Sequence, residues 1–72
     1  MATIELKADI TGNVWKILKA VGDAVQEEED VLIMESMKME IPVEAMFAGK
    51  VSKIHCSVGD LVDQDQLLVV LA

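Results

Sequence analysis

The chain is predicted to be all-β, with two small sheets packed as a flattened barrel or sandwich, and three observations predict it. Its two halves repeat each other, its apolar segments are short and β-rich, and equivalent Gly-Asp pairs punctuate each half. Moving the sequence by 37 positions aligns Gly12, Val14, Lys16, Ile17, Val21, Gly22, Asp23 and Val25 with Gly49, Val51, Lys53, Ile54, Val58, Gly59, Asp60 and Val62. Ile4 and Ala8 fall on Ile41 and Ala45 in the same register. A repeat this short cannot bury its apolar face alone, so the two copies are expected to pack face to face about a pseudo-two-fold axis.

The elements follow in order. Residues 14–19, and 51–55 in the second copy, are β-rich but alternate imperfectly. Gly22-Asp23 and Gly59-Asp60 mark turns at equivalent places. The acidic stretch 27–30 reads as a solvated loop. Residues 31–35 form a short strand, and 41–45 alternate, with Ile41, Val43 and Ala45 facing one way and Pro42 and Glu44 the other. Pro42 has no N–H for a ladder, which places its strand at a sheet edge or turns that position outward. The continuous apolar run 67–71 suits a strand buried on both faces or a closing strand.

Length and charge bound the function. A chain of 72 residues is one domain, 1–72, and with 53% hydrophobic residues it has ample material for a core. The formal charge is −7, no arginine occurs, and one Trp and one Phe are the only aromatics. Nucleic acid is therefore not an expected partner, because counterion release needs Lys and Arg and base stacking needs aromatics. An anionic membrane surface is disfavoured for the same reason, and no apolar run is long enough to span a bilayer. Self-repulsion predicts a monomer when the chain is isolated. Cys56 is alone, so no internal disulfide can form, and no leading apolar run resembles a signal peptide; the cytoplasm is the expected compartment.

The repeat singles out Lys38. Its counterpart is Met1, so Lys38 lies at the junction between the copies, with the chain ends expected at the other end of the fold. The junction, Glu35-Ser36-Met37-Lys38-Met39-Glu40, has to be a tight hairpin, yet it lacks the Asn-Gly or Asp-Gly that such turns prefer. Two thioethers beside an exposed lysine also spend apolar surface on solvent. A local rule broken without a stabilising gain marks a candidate functional site. A primary amine on a flexible stem attacks an activated carboxyl, such as an acyl-adenylate, to form a stable amide. A hairpin tip gives a ligase access and lets the loaded arm swing.

Glu35-Ser36-Met37-Lys38-Met39 resembles the attachment motif of biotin carboxyl carrier proteins, and the whole chain is similar to the biotinyl/lipoyl attachment domain, above all to its stand-alone single-domain members. The resemblance implies a flattened barrel-sandwich of two four-stranded sheets. It implies that a biotin protein ligase joins biotin to Lys38, that a biotin carboxylase then carboxylates the ring nitrogen, and that a carboxyltransferase passes the carboxyl group on. Met37 and Met39 would assist recognition and Glu35 would lie near the ligase contact. The domain itself would be a carrier, with no catalytic residues and no metal.

Departures from that family are also visible. Glu28 and Asp65 stand where glycine is common, so those loops are expected to turn differently, or Asp65 to accept a left-handed conformation more easily than Glu28. Met46 replaces a frequent proline. There is no room for the protruding thumb of some acetyl-CoA carboxylase carriers. Ser36 replaces the common alanine, a change expected to matter little. Trp15, whose counterpart is Ser52, is assigned a packing role over a binding one. Cys56 reads as a small buried hydrophobe, and His55 lacks the partners a metal or catalytic site requires. Two other functions fit less well. A lipoyl carrier, or a dual biotin/lipoyl acceptor of the same fold, uses the same lysine position, but lipoyl motifs usually flank it with Asp and Ala, and an unmodified structural module needs no lysine at the tip.

Overall fold

The computed structural model describes residues 3–72, which form eight strands and no helix. In chain order these are β1 (Ile4–Lys7), β2 (Gly12–Ile17), β3 (Ala24–Val25), β4 (Asp30–Ser36), β5 (Met39–Glu44), β6 (Gly49–Ile54), β7 (Leu61–Val62) and β8 (Leu67–Leu71). They pair antiparallel into two four-stranded sheets, β5-β4-β2-β7 and β1-β8-β6-β3. The first is called the hairpin sheet below. A shift of 37 residues takes each sheet order into the other, so the sequence repeat is a repeat of topology. Met1, the counterpart of Lys38, lies outside the described residues.

The two copies are interwoven. The two-residue strand β3 pairs with β6 of the other copy, and β7 pairs with β2. Neither copy can complete a sheet by itself. Two-residue strands leave almost no periodic trace, which is why the sequence showed turns there and no strands.

Even the irregularities repeat. The β2–β4 register slips between Val14 and Lys16, and the β6–β8 register slips between Val51 and Lys53. A bulge sets two residues against one and breaks strict alternation. That accounts for the imperfect pattern in 14–19 and 51–55, and the strands end at Ile17 and Ile54. The acidic stretch is corrected in two respects: Asp30 belongs to β4, and Glu29 is tied down. The Glu29 carboxylate lies 2.7 Å from Lys19 Nζ and accepts a hydrogen bond from Gln26 N at 2.9 Å. The Lys19 hydrogen bond first, then the Gln26 amide, hold its carboxyl below the usual carboxylate range.

The core is drawn evenly from both copies. Val14, Val25, Val31, Leu32 and Met34 are buried alongside their counterparts Val51, Val62, Leu68, Val69 and Leu71. The central strands β4 and β8 supply most of this, which fits the apolar run at 67–71. Pro42 is on β5, an edge strand, as its missing donor requires. Gly22 and Gly59 adopt φ of 97° and 95° with open space where a Cβ would sit, so the turn needs glycine for its backbone angle alone.

Trp15 is not a packing residue. It sits on the β2 bulge, 42% exposed and outside the core, with Lys16 Nζ 5.3 Å from its ring centre. Cys56 is buried, and burial first, then the charge of Asp60, pushes its thiol up, away from the reactive thiolate.

Candidate functional site

β4 and β5 are joined by a two-residue turn whose central residues are Met37 and Lys38. Ser36 pairs with Met39 to close it, and Glu35 pairs with Glu40 one step down. Both central residues take positive φ, 52° at Met37 and 65° at Lys38, the pattern of a type I′ turn. This turn follows the right-handed twist of the strands, so the short hairpin forms despite the missing Asn-Gly. Holding a non-glycine side chain in the left-handed region costs about 1 kcal/mol per residue. Met37→Asn, which accepts that region at less cost, is accordingly expected to stabilise the domain by about 0.5–1 kcal/mol, a rise in Tm of about 4 °C. Thermal melts of the two proteins check this, and an unchanged or lower Tm contradicts strain at Met37.

The turn displays its side chains. Met37 is 88% exposed and Met39 65%, and Lys38 and Glu35 are exposed. No ion pair engages Lys38 among the described residues. Two surface grooves of about 320 and 340 Å³ lie elsewhere, one along Leu6, Pro42 and Val43 and one beside Glu27 and Glu28. Neither is lined by a residue of the Ser36–Met39 turn. The site is an exposed, projecting amine, which suits covalent attachment of a mobile group and not the enclosure of a bound one. Among the described residues no cluster of His, Cys, Asp and Glu could hold a metal ion, and no helix is long and apolar enough to cross a membrane.

The base of the hairpin is anchored by residues that sequence reading passed over. Ser36 Oγ donates to the Thr11 carbonyl at 3.0 Å, so serine at this position is not equivalent to alanine. Thr11 Oγ1 in turn accepts from Gln64 N at 3.1 Å. Gly12 lets β2 approach β4 closely: a Cβ there would lie 2.6 Å from the Glu35 carbonyl oxygen. Glu28 and Asp65 both adopt the left-handed conformation that a glycine would, Glu28 as fully as Asp65, so the expected difference between them is corrected. Their φ values are 67° and 68°, and each is clasped by its counterpart alanine, Glu28 N donating to Ala45 O at 2.8 Å and Asp65 N to Ala8 O at 2.7 Å. These hydrogen bonds hold the left-handed conformation without glycine.

Comparison with known proteins shows the family and the fold. The family described as "Biotin-requiring enzyme", the biotin/lipoyl domain, matches residues 5–71. The chain is 38% identical to a Mycobacterium leprae protein named biotinylated protein TB7.3 homolog, covering 94% of this chain and 96% of that one. It is 40% identical to a Streptococcus mutans biotin carboxyl carrier protein, covering 93% of this chain and 52% of that one. Its fold superposes on Kluyveromyces lactis urea carboxylase with a TM-score of 0.94 and 39% identity over the whole chain, which spans only 6% of that enzyme. The lipoyl domain of the Azotobacter vinelandii 2-oxoglutarate dehydrogenase complex superposes with a TM-score of 0.81 and 29% identity, covering 96% of this chain and 95% of that one.

Proposed function

Because the chain belongs to the biotin/lipoyl attachment family, a family of carrier domains, we propose that it is a biotin carboxyl carrier loaded on Lys38. The observation that carries this reading is the lysine at the apex of a strained two-residue turn, bracketed by two exposed methionines. In loading, Lys38 Nζ gives up a proton and attacks the carboxyl carbon of an acyl-adenylate, AMP departs, and an amide forms. The base that takes the proton belongs to the ligase. Biotin, once attached, supplies a ring nitrogen that carries a carboxyl group between a biotin carboxylase and a carboxyltransferase. The chain's own part is positional: the turn holds the arm clear of the domain, and Met37 and Met39 offer flexible apolar contacts to whichever enzyme approaches. Glu35 lies on the ligase side of the stem. The domain performs no bond chemistry after loading, and the cytoplasm is its proposed compartment.

A lipoyl carrier is the second reading, favoured by the likeness to a whole lipoyl domain. Intact-mass spectrometry separates the two. The purified chain is incubated with biotin protein ligase, biotin and Mg-ATP, and separately with a lipoate ligase and lipoate. One biotinoyl increment on Lys38 is expected. A lipoyl increment alone selects the second reading, and no increment from either enzyme removes both.

A further inference from the structure

We propose that the outer face of the hairpin sheet, centred on Trp15 and Leu61, is the surface on which a biotin protein ligase docks; this rests on reading Lys38 as the biotinylated residue. The internal symmetry supplies a control for what the fold requires. Trp15, Leu61 and Pro42 occupy the positions that Ser52, Ala24 and Glu5 occupy on the other sheet, with matched strand order and matched bulges. The fold therefore accepts small or polar residues at all three places. On the hairpin sheet they are apolar, and Trp15 and Leu61 are 42% and 71% exposed. Exposed apolar residues that the fold does not demand mark a contact surface.

This face is continuous with the hairpin. Leu61, Asn13, Glu35 and Glu40 form one row across β7, β2, β4 and β5, directly beneath the Ser36–Met39 pair that closes the turn. The next row, about 7 Å further along at the usual strand rise, holds Pro42, Ile33 and its partner Lys16, with Trp15 beside them on the bulge.

Reach favours the ligase as occupant. The unmodified Nζ extends only as far as its own four-carbon stem, so the enzyme that acylates it has to bring its surface up to the hairpin. Enzymes that use the loaded arm meet the end of a much longer lever. A specific interface covers about 800 Å² on each partner. The whole domain exposes 4715 Å². A four-residue turn cannot supply that footprint, and the face behind it is continuous with the turn. Charge points the same way. Glu35 and Glu40 face each other directly, an unfavourable like-charge pair, and neither is ion-paired among the described residues. The matching ligase surface is an apolar recess flanked by Lys or Arg.

The test is steady-state biotinylation by purified biotin protein ligase with Mg-ATP and biotin. The double variant Trp15→Ser, Leu61→Ala carries the residues found at the counterpart positions. Its kcat/KM is expected to fall about tenfold or more through KM, with kcat nearly unchanged. Glu5→Gln and Ser52→Ala on the other sheet are expected to leave both constants unchanged. A second measurement does not depend on how the variant folds: in the ¹⁵N-labelled natural chain, the single indole N–H signal of Trp15 should shift or broaden when unlabelled ligase is added. Biotinylation of Lys38 with an unchanged KM in the double variant, or an indole signal blind to the ligase, overturns the docking surface alone. Absence of any biotinylation of the natural chain overturns the biotin reading beneath it.

Discussion

Lys38→Arg is expected to abolish covalent loading while leaving the fold intact. Arginine keeps the charge and a long stem, but its guanidinium stays protonated and its electron pairs are delocalised, so it has no amine to acylate. The side chain at 38 is exposed and the backbone there has φ of 65°, a penalty Lys and Arg share. Stability should therefore change by no more than about 0.5 kcal/mol. Five other lysines test whether the site is specific, because a reactive amine alone would let them substitute. Lys7 and Lys19 are ion-paired to Glu5 and Glu29, and Lys16 lies over Trp15. Lys50 and Lys53 are on β6, and none of the five occupies a two-residue turn. Intact mass and peptide mapping after ligase treatment read the outcome. An increment surviving in the variant, on Lys16, Lys50 or Lys53, would show that turn geometry does not select the lysine.

Much of the site was legible because two independent signals met at one residue. The motif pointed to an acylated lysine, and the 37-residue repeat put it between copies, where the structure has the β4–β5 turn. The fold class was legible because the core positions of β4 and β8 are nearly pure aliphatic runs. The rest was hidden for physical reasons. The bulges at Trp15 and Ser52 break the period of two on which strand reading depends, so alternation does not tell which way Trp15 faces. Glu28 and Asp65 suggested altered loops because residue type indicates backbone preference but not the hydrogen bonds that their amides donate to the Ala45 and Ala8 carbonyls, which override it. Ser36 was undervalued because its acceptor, the Thr11 carbonyl, is 25 residues away in sequence.

Gly12→Ala is expected to destabilise the domain by about 1–3 kcal/mol, and to slow loading at temperatures where the variant remains folded. Gly12 has no left-handed φ, so its requirement is space. An added Cβ would stand 2.6 Å from the Glu35 carbonyl oxygen and 3.2 Å from Ser36 Cβ, and the first of these is main chain that cannot swing aside. β2 would have to withdraw from β4 at the base of the hairpin, stretching the 3.0 Å bond from Ser36 Oγ to the Thr11 carbonyl. The pseudo-two-fold again supplies the comparison. At Gly49 the added Cβ would meet the Ala72 carbonyl at 3.0 Å, a contact that a small shift relieves, and no hairpin depends on it. Gly49→Ala should therefore lose less stability and load at the natural rate. Urea titration and ligase kinetics of the pair decide the matter: equal losses in both variants would mean that close approach at Gly12 is an ordinary feature of the repeat. Unequal losses, with loading impaired only in Gly12→Ala, would mean that the spacing of β2 and β4 sets the position of the amine, because the atoms an added Cβ would meet belong to Glu35 and Ser36 of the stem and not to Lys38 itself.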